Sequence, residues 1–181
     1  MCASYTLNKD GVKIPLGGKT RVFPTAKREK IRPTDPAPII SGTVEGAACR
    51  ELRWGWQVPW NQGPLINAKS ETLTTLATFR PHLEQRCLLL ADGFYENGAL
   101  FRQPAGEVFC LAGLWRDEAA GTRFVMLTTQ PNATVAPHHD RMPLIVRPAL
   151  YDAWLGADWQ RVLAEPDHAP LEKYQSQPEL F

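Results

Sequence analysis

The apolar residues of this chain come in short runs. Pro38 to Ile40, Cys87 to Ala91, Val108 to Leu114, Phe124 to Thr128 and Leu144 to Val146 each have strand length, and turns rich in Gly, Asp and Asn punctuate the sequence around them. Arg53 to Val58, with its paired tryptophans, adds a strand that can fold back on Pro38 to Ile40 across Glu45-Gly46, which predicts a first hairpin. Helices are few and short. Ser70 is placed to cap one in which Leu73, Leu76 and Ala77 fall at i, i+3, i+4 before Pro81 ends it. Pro148 opens a second, presenting Tyr151, Trp154 and Leu155, and Asp158 caps a third bearing Trp159, Val162 and Leu163. The expected fold class is α+β, a single domain over residues 1–181 with a mixed or antiparallel β core and flanking short helices.

Residues 8–36 break the pattern. Gly11, Gly17, Gly18, Pro15, Pro24, Pro33 and Pro36 stand among charged residues, and the segment reads as an irregular basic arm or a series of loops. Residues 1–32 hold eight basic residues against two acidic ones, a net of +6, while 150–181 carry −4, although the whole chain is only +1. Such a front half is either a solvated surface or one that favours a phosphate backbone. Hydrophobic content of 44% with 22% charged residues is ordinary for a globular protein, and no run approaches the roughly 20 apolar residues of a membrane span. With no leader-like stretch and four cysteines (Cys2, Cys49, Cys87, Cys110) lacking the spacing of a disulfide framework or a zinc site, the expectation is a cytoplasmic protein with reduced thiols, no metal and no cofactor.

Cys2 follows Met1 directly. Removal of that one residue creates a 1,2-aminothiol. An α-amine titrates near about 7.7–8.0 against about 10.4 for lysine, so near neutral pH a useful fraction is already nucleophilic. The amine can capture an aldehyde as an imine, and the thiol can then close a five-membered thiazolidine. The same two groups could instead act as thiol nucleophile and amine base in an N-terminal-nucleophile hydrolase.

Three further segments group polar, chemistry-bearing residues with turn residues: Pro64-Leu65-Ile66-Asn67-Ala68-Lys69-Ser70-Glu71-Thr72, Ala91-Asp92-Gly93-Phe94-Tyr95-Glu96, and His138-His139-Asp140-Arg141-Met142-Pro143. With Cys2 and Trp54-Gly55-Trp56, their order from residue 2 to roughly 165 resembles the SRAP family, the SOS response-associated peptidases or abasic-site processing proteins. The resemblance implies a barrel-like core and a DNA-damage enzyme that recognises an abasic site in single-stranded DNA and links covalently to its ring-opened aldehyde, with possible self-processing peptidase and lyase activities. Carried over, Cys2 supplies amine and thiol, Asn67 orients or binds the reacting centre, Glu96 shuttles protons and His139 is the acid/base that helps open the deoxyribose. Lys69, Trp54, Trp60 and Arg141 become the DNA contacts of a monomer.

This chain departs from the family pattern in places. Ser4 stands where an arginine is usual, Lys69 replaces another arginine, and Asn97 takes the place of an aromatic residue after the glutamate. A lysine loses the bidentate phosphate geometry, and an asparagine cannot stack on a base. A further reading, without catalysis, is a single-strand-binding module built on Trp54, Trp56, Trp60 and the basic arm.

Overall fold

The computed structural model describes residues 2–175. Strand β1 (Tyr5–Leu7) is buried throughout. Strands β2 (Val12–Leu16) and β3 (Lys19–Phe23) follow as a hairpin, and β4 (Arg28–Ile31) returns to pair antiparallel with β1. The segment 8–36 therefore carries three paired strands joined by short turns, contrary to the expected irregular arm. Val12, Ile14 and Leu16 are buried while Lys13 and Pro15 are exposed, the period-2 alternation of a half-buried strand. Gly17 and Gly18 both take positive φ, 64° and 71°, the two-residue turn that a twisted hairpin favours and that side chains resist. Apart from Pro15, which lies within β2, the glycines and prolines mark strand ends here.

A first hairpin forms, as β5 (Pro36–Ser41) and β6 (Ala48–Trp54), paired from Pro36↔Arg53 to Ser41↔Ala48, but its second strand lies N-terminal to the expected Arg53 to Val58 and shares only Arg53 and Trp54 with it. It stops at Trp54 because Gly55 turns at φ +104°, where a Cβ would lie 2.6 Å from Cβ of Pro64. Strand β7 (Asn67–Lys69) comes next. The helix expected after Ser70 is replaced by a 3₁₀ turn at Ser70–Thr72, further turns and a second 3₁₀ turn at Arg80–His82. Leu73 is buried but Leu76 is 46% exposed, so the expected apolar face does not face the core. Thr72 and Thr75 also bond their hydroxyls back to the carbonyls of Lys69 and Thr72, which competes with helix formation.

The remaining elements are β8 (Arg86–Ala91), β9 (Gly93–Glu96), β10 (Ala99–Arg102), β11 (Phe109–Glu118), β12 (Gly121–Thr129), β13 (Met142–Pro143), β14 (Ile145–Val146), α1 (Tyr151–Leu155), α2 (Gln160–Ala164) and β15 (Glu172–Gln175). The predicted helices after Pro148 and Asp158 thus form, though neither has a side-chain cap. Strands β12, β6, β5, β8 and β11 are hydrogen-bonded in that order, and β11 pairs back onto β12, which closes a five-stranded barrel. Only β6–β12 is parallel among these pairs, so the sheet is mixed. Gly113 of β11 leaves room for the Val125 carbonyl and the Leu89 side chain in the barrel wall.

A second sheet, ordered β15-β10-β9-β1-β4, lies beside the barrel. Asp92, between β8 and β9, joins the two: its carboxylate accepts from Thr6 Oγ1 at 2.5 Å and from the Asn8 N–H at 2.8 Å. That anchor fixes the N-terminal strand against the barrel's end. No helix among the described residues is long and apolar enough to cross a membrane.

Candidate active site

Cys2 sits just ahead of β1 and is completely buried. The antiparallel pairing of β1 with β9 brings it to the end of β9, where the Tyr95 N–H donates to the Ser4 carbonyl at 3.0 Å. Asn67, opening β7, is set beside it by parallel pairing with Met126 of β12, and its Nδ2 donates to the Cys2 carbonyl at 2.9 Å. Among the described residues the buried Asn67 Oδ1 has no hydrogen-bond partner, which leaves an acceptor unused beside the cysteine.

Glu96 ends β9 with its side chain 2% exposed. Burial raises its carboxyl above the usual carboxylate range, partly offset by the neighbouring His139. Burial, then the charge of Glu96, pushes the Cys2 thiol well above its ordinary value. His139 Nδ1 lies 3.9 Å from Glu96 Oε2. Four residues at positions 2, 67, 96 and 139 are thereby brought to one place, each by a different strand or loop.

The loop carrying His139 is tied from several sides. Asn132 Oδ1 accepts from the N–H groups of Thr134 and Val135, and the Val135 carbonyl accepts from those of His138 and His139. Asn97 Nδ2 donates to the His138 carbonyl at 2.5 Å, and the His138 ring packs 5.5 Å from that of Phe101. Asn97 takes φ +46°, a left-handed conformation that asparagine tolerates better than an aromatic residue does. The Arg141 N–H donates to His139 Nδ1 at 3.0 Å.

The expected DNA contacts divide. Trp60 is 66% exposed and Lys69 is exposed, so both can meet a ligand. Trp54 cannot: it is fully buried, stacked 6.2 Å from Phe124, with Nε1 bonded to the Ile66 carbonyl. Trp56 is buried too, its Nε1 on the Arg123 carbonyl, which removes two of the three platforms of a tryptophan-based binding module. Arg141 is committed within the protein. Its guanidinium makes a two-pronged pair with Glu71, at 2.7 and 2.8 Å, and also bonds the Thr128 carbonyl at 2.7 Å. That pairing lowers the Glu71 carboxyl to about 2. Asn97, Asp92, Asn132 and Glu71 were not assigned from sequence, although Asp92 and Glu71 lie inside the motif segments. Among the described residues no group of three or more His, Cys, Asp or Glu is placed to hold a metal.

The model of the SOS response-associated peptidases matches residues 1–179. The chain belongs to the SRAP family. It is 31% identical to abasic site processing protein YoqW of Bacillus subtilis (strain 168), over 69% of this chain and 67% of that protein. It is 30% identical to YoaM of the same organism, over 69% and 66%, and 27% identical to YedK of Escherichia coli (strain K12), over 71% and 64%. Both of these relatives are likewise named abasic site processing proteins. Among solved structures, a phage-related protein of Bordetella bronchiseptica superposes with a TM-score of 0.78 at 20% identity, covering 99% of this chain and 96% of that one. A second protein of that organism gives 0.75 at 21%, covering 98% and 100%. The SRAP fold is thus shared across strongly diverged sequences.

Proposed function

We propose that this chain processes abasic sites in single-stranded DNA by linking covalently to them through Cys2 once Met1 has been removed. The observation that carries the reading is the convergence of Asn67, Glu96 and His139 on the one residue whose backbone nitrogen would become a free amine. An abasic deoxyribose is a masked aldehyde. As its ring opens, the C1′–O4′ bond breaks and a proton passes from the hemiacetal hydroxyl to O4′, a transfer suited to the imidazole of His139. The Cys2 amine then adds to the aldehyde carbon, and loss of water leaves an imine. In the last step the thiol sulfur bonds that carbon, the C=N π bond breaks and the thiol proton ends on nitrogen. No oxidant or reductant enters.

The local electrostatics suit this order. A thiol held protonated by burial is a poor first nucleophile, whereas a carboxylate with a raised pKa is a better proton acceptor for the amine and later for the thiol. The same fact weighs against the hydrolase reading, in which the thiol must attack first.

The test is to incubate the protein with a single-stranded oligonucleotide containing one abasic site and resolve the products under denaturing conditions. A stable adduct is expected from protein whose intact mass lacks one Met. Cys2→Ser should give an imine that survives only after borohydride trapping. Stable adduct from protein that retains Met1 would overturn the amine's role.

A further inference from the structure

His139 Nδ1 faces groups of opposite demand. The Arg141 N–H donates to it at 3.0 Å, yet among the described residues acceptors crowd the same atom: the Arg141 carbonyl at 3.2 Å, Asp140 Oδ1 at 3.2 Å and Glu96 Oε2 at 3.9 Å. A neutral imidazole carries one proton, and the bonds made by one ring nitrogen decide which nitrogen has it. If the Arg141 N–H holds its place, Nδ1 is an acceptor and the proton sits on Nε2. If it moves away, the carbonyl and two carboxylates draw the proton to Nδ1. What holds it is the side chain of the same residue, pinned by both oxygens of Glu71 at 2.7 and 2.8 Å and by the Thr128 carbonyl of β12 at 2.7 Å. Arg141 is little exposed, at 11% of its side chain, and the pair is matched in geometry as well as charge.

We propose that Glu71 is a positioning residue: by locking the Arg141 guanidinium it keeps the Arg141 N–H on Nδ1 of His139 and so holds the imidazole in its Nε2–H form. Arg141 thereby acts on the site through its backbone, and Glu71, which touches no reacting atom, sets the protonation pattern of the acid/base.

The tautomer is read directly. In the full chain with ¹⁵N-labelled histidine at pH 8, the Nδ1 and Nε2 shifts of His139, assigned by difference against His139→Gln, should show Nε2–H in wild type. Glu71→Ala should move them toward Nδ1–H, and the isosteric Glu71→Gln, which keeps the fold and one acceptor, should fall between. Arg141→Lys, a single-point cation, should also shift toward Nδ1–H. Unchanged His139 shifts in folded Glu71→Gln and Glu71→Ala would overturn the proposal, as would Nδ1–H in wild type. A second arm, the single-turnover rate of abasic-site adduct formation, rests on the function proposed above: a changed tautomer with an unchanged rate supports the positioning role and removes His139 from the chemistry.

Discussion

Glu71 and Glu96 are both one contact or two from His139, and their surroundings drive them in opposite directions. The Arg141 fork holds Glu71 ionised down to about pH 2, while burial favours the neutral form of Glu96. Their linkage to stability therefore has opposite sign. For Glu71, with its folded value depressed, stabilisation is present above its unfolded value of about 4.5 and is lost as pH falls toward about 2. Glu71→Gln should accordingly melt below wild type at pH 7, with the gap closing toward pH 2 in a series of thermal melts. For Glu96, with its folded value raised, stabilisation exists only below the unfolded value and disappears as pH rises through the folded one. Glu96→Gln should melt above wild type at pH 7 and lose that advantage in acid. The same substitution should slow adduct formation by roughly 10²–10⁴-fold, the range for a lost general acid or base. In wild type the rate should rise with pH at a midpoint above the ordinary 4.5 of a glutamate, and single-turnover rates of Glu96→Gln should lack that rise. A variant that gains stability while losing activity is what the role proposed for the desolvated Glu96 carboxylate requires.

At the scale of elements, the barrel strands were legible because buried strands are continuous apolar runs: Cys87 to Ala91 and Phe124 to Thr128 lie within β8 and β12. The β2–β3 hairpin was also visible in principle, through the alternation Val12, Ile14, Leu16 and the Gly17-Gly18 turn. The density of charge and proline around it masked the period. The helix after Ser70 fails for a different reason, since i, i+3, i+4 spacing says nothing of whether Leu76 reaches the core, and it is left 46% exposed. Asn97 shows a departure from the family pattern whose use only the fold reveals. In place of a stacking surface it supplies a left-handed turn between β9 and β10 and a tether to the His139 loop. Asn97→Gly keeps the turn and loses the tether, so urea denaturation should show a loss of about 1 kcal/mol while adduct formation slows. Asn97→Trp would add the left-handed cost of about 1–2 kcal/mol to the lost tether, and should be the less stable of the two.

Across the whole molecule, residues 2, 67, 96 and 139 share no local pattern, and no spacing rule could have joined them. Their order in the chain pointed to the family, and strand pairing put them in one place. DNA affinity is a different matter, because two of the four expected contacts are taken up within the protein. Of the four expected contacts Trp54 is core and Arg141 is held by Glu71, leaving Lys69 and Trp60. Trp54→Ala should therefore cost about 3–5 kcal/mol of folding stability, the usual penalty for an aromatic cavity, and should tell nothing of binding. Trp60→Ala should leave the thermal midpoint in place and weaken binding to an unreactive single-stranded oligonucleotide by about 1–3 kcal/mol, the worth of one stacked base. The electrostatic part follows from counterion release, with log K falling by about 0.7 per unit of log salt for each neutralised phosphate on a single strand. Lys69→Ala should make that slope shallower by about 0.7, whereas Trp60→Ala should lower affinity at every salt concentration with the slope unchanged. Fluorescence anisotropy across a salt series separates the two. A Lys69→Ala slope equal to wild type would move the phosphate contact away from β7, to the basic strands β3 and β4.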